Sequence, residues 1–110
     1  MDYKVVKFEV FIPEEFVEEL RNELNKVHAL TVDGIYDNCM AVSKVKGSWR
    51  PLENANPYEG VIGEISEEEE CKVEFTCRYE ISKEAIKVIK RVHPYETPVI
   101  NILPNLIFDI

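Results

Sequence analysis

Cysteine is scarce and unpatterned: Cys39, Cys71 and Cys77 are three in 110 residues, with no C-x-x-C spacing. An odd set so spaced disfavours a disulfide framework and a structural zinc site, and a reducing cytoplasm is the expected compartment. Long apolar runs are missing too. No stretch approaches the roughly 18 residues that a membrane-spanning helix takes. The first ten residues mix Lys4, Lys7 and Glu9 into their apolar positions, which is not a signal-peptide core. No Asn-x-Ser/Thr acceptor is present. Basic charge is short: 13 Lys and Arg stand against 21 Asp and Glu, giving a formal net charge of −8. Nucleic acid and anionic membranes, which are held by clustered Lys and Arg, are therefore not expected partners, whereas cations and basic surfaces remain. G-x-G-x-x-G, Walker, H-E-x-x-H and G-x-S-x-G patterns are all absent, which removes the usual support for dinucleotide, P-loop, zinc-peptidase and hydrolase chemistry.

What is present suffices for a core. Hydrophobic residues make up 45% of the chain and aromatics 10%, so residues 1–110 are expected to form a single α+β domain. Alternation of Val6, Phe8, Val10 and Ile12 with Lys7, Glu9 and Phe11 predicts a half-buried strand ended by Pro13. Pro13 at a first helical position and Glu14, Glu15, Glu18 and Glu19 in the opening turns predict a helix to about His28, its stripe Phe16, Leu20, Leu24 and Val27. A second strand–helix unit starts at Cys71, whose alternation runs through Val73, Phe75, Cys77 and Tyr79. Ser82 is the expected N-cap of its helix, and Pro94 ends it. The last extended segment, residues 99–110, contains Pro104 and so suits an edge or a bend. Between the two units, strands are expected at residues 36–45 and 61–66 around an irregular loop at 47–60. The order βαββαβ specifies a ferredoxin-like sandwich: an antiparallel sheet, two helices on one face and an elaborated central hairpin.

Several side-chain groups could carry chemistry. In His93-Pro94-Tyr95-Glu96-Thr97-Pro98 two prolines stiffen a turn that holds an imidazole and a carboxylate three residues apart, a spacing that suits a divalent metal or a base and its orienter. Asp37, Cys39, Glu59 or a residue from another subunit are the candidates to complete a metal site, while the plainer reading makes His93 a helix cap and Tyr95 turn packing. Asp37-Asn38-Cys39 offers a carboxylate, an amide and a thiol, and Cys39 with His93 would make a nucleophile and base; a buried, inert Cys39 is the simpler expectation. Trp49, Arg50, Tyr58 and Glu59 lie on the central loop and suit a small ligand or a subunit interface. Glu67 to Glu70 reads as a solvated acidic turn.

Taken together, Tyr36-Asp37-Asn38-Cys39, Gly47-Ser48-Trp49-Arg50-Pro51, Asn56-Pro57-Tyr58-Glu59-Gly60 with Gly63, Val73-Glu74 and the His93 to Pro98 stretch resemble the YqfO-type domain of the Nif (NGG-interacting factor three-like) family. The His93 stretch is also similar to one in CutA, the divalent-cation-tolerance protein. That resemblance implies a CutA/PII-like βαββαβ fold and self-association as a dimer or trimer. The dinuclear metal site of the Nif family lies in flanking domains and has no counterpart among these residues. From CutA only His93 and Glu96 carry over as metal ligands, with Cys39 weaker. The PII likeness is one of fold, because the basic effector loop is missing. The expected function is a non-enzymatic oligomeric module, in a regulatory role, binding a small ligand or divalent cation through Asp37, Cys39, Trp49, Arg50, Tyr58, Glu59 and Tyr95, with His93 and Glu96 for the metal. A cysteine enzyme using Cys39 and His93, or a purely structural assembly domain, are the alternatives.

Overall fold

The computed structural model describes residues 4–106. Four strands, β1 (Val5–Ile12), β2 (Ala41–Trp49), β3 (Ser66–Arg78) and β4 (Ile100–Pro104), form one sheet in the order β2-β3-β1-β4, every neighbouring pair antiparallel. The helices α1 (Val17–Lys26) and α2 (Ser82–Val92) link β1 to β2 and β3 to β4. Each link passes over one intervening strand, which is the split βαβ arrangement of a ferredoxin-like sandwich. The expected fold class holds.

The alternating pattern decides which face is covered. Val6, Phe8, Val10 and Ile12 of β1 stand beside Cys77, Phe75, Val73 and Cys71 of β3, and all eight are buried. Against them pack Leu20 and Leu24 of α1 and Ala85, Val88, Ile89 and Val92 of α2. Phe8 and Phe75 stack at the centre, ring centroids 4.8 Å apart and planes within 8°. The opposite face is wet, with Lys7 and Lys72 paired to Glu74 and Glu9 at 2.8 and 3.3 Å. Burial pushes the Cys77 thiol up to about 11 and raises Cys71 as well, so both belong to the core as the alternation implies.

The structure departs from the sequence reading at several boundaries. Pro13 precedes the helix with an extended backbone (ψ 144°), and Glu14–Phe16 is a 3-10 turn before α1 begins. Ser82 is not an N-cap: it is already helical, and its hydroxyl donates to the Tyr79 carbonyl at 2.5 Å across a second 3-10 turn, Tyr79–Ile81. The first middle strand begins at Ala41 and runs through Gly47 to Trp49, later than predicted. Residues 61–66 are not a strand of their own. Instead β3 begins at Ser66 and takes in the whole acidic run, because Glu67 to Glu70 pair with Ser48, Gly47, Lys46 and Val45 across the hairpin. The cross-strand Lys46 opposite Glu69 favours that register. β4 is an edge strand, as Pro104 required, and the expected extension over 107–110 lies outside the described residues.

α1 ends in a Schellman motif built on an unusual residue. His28 takes φ 62°, its N–H donates to the Asn25 carbonyl at 3.1 Å, and the Ala29 N–H donates to Leu24 at 3.1 Å. A Cβ in this left-handed conformation is disfavoured, and glycine is the usual occupant. His28→Gly is therefore expected to stabilise the protein by about 0.5 to 1 kcal/mol in urea unfolding; a loss would show that the imidazole contributes packing that exceeds the backbone strain.

Candidate functional site

Beyond Trp49 the hairpin opens into an irregular segment, residues 50–65, that folds back against the His93 to Pro98 turn. Four features hold it in place. The Gly63 N–H donates to the Pro51 carbonyl at 2.8 Å, closing the segment on itself. The Trp49 indole N–H donates to the Glu59 carbonyl at 3.2 Å. Gly60 has φ +106°, and a Cβ there would stand 2.8 Å from Ser66 Oγ and 3.2 Å from the indole nitrogen, so both the backbone and the close approach demand glycine. From the other side the Glu96 carboxylate accepts a hydrogen bond from the Asn56 N–H at 3.0 Å, clasping the segment to the turn.

The space so enclosed is a cavity of about 420 Å³. Trp49, Tyr58 and Tyr95 form its aromatic wall, Tyr95 lying 5.7 Å from Trp49 and 6.0 Å from Tyr58 between ring centroids. Phe16 backs Tyr58 edge-on at 6.3 Å, which ties the wall to the start of α1. Phe11 and Val99 supply the sheet side, and Glu59, Glu70 and Glu96 bring carboxylates. Burial, followed by the Glu70 carboxylate and then Glu59 and Glu68, raises the Tyr95 phenol well above its ordinary range, so it stays neutral.

His93 lies behind this wall. Its Nε2 is 2.6 Å from the Phe11 carbonyl, and its Nδ1 accepts the Tyr95 N–H at 3.2 Å. Those partners fix the neutral tautomer with the proton on Nε2. Burial holds the imidazole below its ordinary pKa, partly offset by the bond to Phe11. Pro94 drives His93 into an extended conformation (φ −68°, ψ 128°) at the end of α2, as the sequence predicted.

These contacts redistribute the predicted site. Trp49, Arg50, Tyr58, Glu59, Tyr95 and Glu96 all line the cavity. Asp37 and Cys39 do not. The Asp37 carboxylate accepts from Asn38 at 2.9 Å and from Asn25 at 3.4 Å, and the Cys39 N–H donates to the Leu30 carbonyl at 3.0 Å, so both belong to the turn that follows α1. Cys39 and His93 thus have separate partners and form no nucleophile–base pair. His93 and Glu96 also have separate partners: both imidazole nitrogens are engaged by backbone, and the Glu96 carboxylate accepts from the Asn56 amide. Among the described residues no three His, Cys, Asp or Glu side chains converge on one point.

The residue the sequence reading missed is Glu70. Placed in a solvated turn by its acidic neighbours, it is only 7% exposed. Its carboxylate lies over Gly47, where a Cβ would overlap it, and that explains a glycine in mid-strand. Extending the period of Lys72 and Glu74 two residues back would have placed Glu70 on their face of the sheet.

This geometry has known counterparts. No family model matches the chain. Relatives named "GTP cyclohydrolase 1 type 2 homolog" share 36% identity over 101 residues in Staphylococcus epidermidis and 33% over 97 residues in Staphylococcus aureus, covering 88% of this chain. The solved structure of a Bacillus cereus protein related to NIF3 superposes over 94% of the chain with a TM-score of 0.80 and 26% identity. The chain is homologous to one segment of the NIF3/YqfO family. It spans about a quarter of these family members, 26% of their length in each case. The CutA1 divalent ion tolerance protein of Ehrlichia chaffeensis shares the fold, with a TM-score of 0.71 at 17% identity over 99% of this chain and 88% of that one. The NIF3/YqfO segment and CutA1 thus have one ferredoxin-like architecture in common, as the sequence resemblance implied. No helix among the described residues is long and apolar enough to cross a membrane.

Proposed function

We propose that this NIF3/YqfO segment is a non-enzymatic module that self-associates and binds a small ligand in the cavity between the hairpin segment and the His93 to Pro98 turn. The observation that carries the reading is the aromatic wall of Trp49, Tyr58 and Tyr95, enclosed by the Glu96 clasp and bordered by carboxylates. Binding sites are concave and mostly apolar with a few placed polar groups, and this cavity has that make-up. No paired nucleophile and base accompanies it among the described residues, which favours binding over turnover. The cyclohydrolase in the relatives' name belongs to proteins of which this chain matches 26%, and the divalent ions in the CutA1 name enter here as one class of candidate ligand. Self-association is supported by apolar side chains left open at and beside the β4 edge, with Val99 55%, Ile102 40%, Leu103 42% and Leu106 62% exposed.

Trp49 is the single tryptophan and so reports the cavity directly. A panel of small metabolites with zinc and copper ions is expected to contain at least one member that changes its fluorescence saturably, and Tyr95→Ala should weaken that member by roughly tenfold or more. A silent panel, or an affinity unchanged by Tyr95→Ala, would overturn the ligand site. Sedimentation showing monomer alone at all concentrations would remove self-association.

A further inference from the structure

The cavity is lined by a buried acidic side chain, Glu70, that has no basic partner. Among the described residues no Lys, Arg or His side chain pairs with the Glu70 carboxylate, whereas Glu74 of β3 and Glu9 of β1, on the same face of the sheet, are paired with Lys7 and Lys72. Its neighbour is the phenol of Tyr95, a neutral donor. A carboxylate removed from water and left with neutral partners is a costly arrangement that a cation relieves. The ring faces of Trp49 and Tyr95 beside it carry negative quadrupole charge and attract cations in the same way.

We propose that the cavity takes a small organic cation of the primary alkylammonium class, its ammonium on the Glu70 carboxylate and its carbon skeleton against the Trp49 and Tyr95 rings. The inference rests on the cavity being a ligand site and names the chemistry of the occupant. Glu59 and Glu96 line the same space and add to its negative potential. Arg50 is the one cation among the lining residues, and it is exposed, where water screens it. A metal ion fits less well, because no three ligands converge and the wall is built of rings. An anion would meet Glu70 unshielded.

The experiment follows the Trp49 indole N–H by NMR in the full chain during titration with butylammonium and, separately, with butanol, its uncharged counterpart. Butylammonium is expected to bind saturably and roughly tenfold or more tightly than butanol. Glu70→Gln, a neutral residue of the same shape, should erase that preference. Glu69→Gln, the next residue along β3, on the opposite face and exposed, should keep it; together the two variants separate the placed carboxylate from general acidity. Equal affinity for the two probes, a preference that survives Glu70→Gln, or no binding of butylammonium would each overturn the cation class. If a neutral compound of the wider panel still binds at Tyr95 in those cases, the ligand site itself stands, whereas a silent panel brings down both readings.

Discussion

Phe8→Ala is expected to cost about 3 to 5 kcal/mol of folding free energy. Phe8 is fully buried, it stacks on Phe75 at 4.8 Å, and its strand lies between β3 and β4, so no solvent-facing neighbour is positioned to fill the space it leaves. The cost has two parts, the lost transfer energy of the ring and the cavity left by a sheet and two helices that relax only partly. Domains of this size are stable by about 5 to 15 kcal/mol, so the variant would sit near the threshold of unfolding at room temperature. Urea denaturation with an unchanged slope is the measurement. Phe8→Leu should recover most of the loss, and a cost for Phe8→Ala below about 1.5 kcal/mol would mean that the stack is not the centre of the core.

The second large effect belongs to His93. His93→Ala removes a buried ring and leaves the Phe11 carbonyl and the Tyr95 N–H without partners, for an expected loss of about 2 to 4 kcal/mol. It also carries a pH signature. Burial lowers the folded-state pKa below the ordinary value of 6.5. Between the two values the unfolded chain binds the extra proton, so this contribution is fully present above about pH 6.5 and is lost as pH falls through the folded pKa. Urea midpoints at pH 7.5 and pH 5 should therefore fall further for the parent than for His93→Gln, which has no such titration. Equal falls would show that the imidazole is not held neutral. A metal or catalytic role would leave unfolding at neutral pH nearly unchanged on substitution, so the same measurement discriminates structural from chemical use of this side chain.

What was legible in the sequence was what local periodicity encodes. The alternation at Val6 to Ile12 and Cys71 to Cys77, the stripe of α1 and the prolines at 13, 94 and 104 place every core element and the edge strand, and the element order then leaves one simple topology. The boundaries that slipped were those decided by pairing across the sheet. Four consecutive glutamates look like a solvated turn until Lys46 and the backbone of β2 are set beside them, and only then does Glu70 become a buried side chain. His93 was conspicuous, but its partner Phe11 lies 82 residues away, and no spacing rule links an imidazole to a carbonyl at that distance. Asp37 and Cys39 looked chemical because a carboxylate and a thiol adjoin, yet the amides of Asn25 and Asn38 absorb the carboxylate into a turn. Trp49, Tyr58 and Glu59, which line the cavity, stood out because aromatic and charged residues on a long loop have few structural reasons to be there, and Tyr95 stood out as part of the proline-stiffened turn that begins at His93.

The clasp between Glu96 and the Asn56 amide is an exposed bond joining residues 40 apart, and none of the core helices takes part in it. Its opening releases the Asn56 amide while the Phe8–Phe75 stack and the Trp49–Glu59 and Gly63–Pro51 bonds stay closed, so two separate clocks are expected: slow hydrogen exchange in β1 and β3, fast exchange at Asn56. Residues 52–55 are exposed or nearly so, and lengthening them costs only loop-closure entropy, which grows slowly with length. Mutation can therefore reshape the mouth of the cavity at little cost to folding, and related chains on this scaffold are free to differ in what they hold while remaining the same in how they stand.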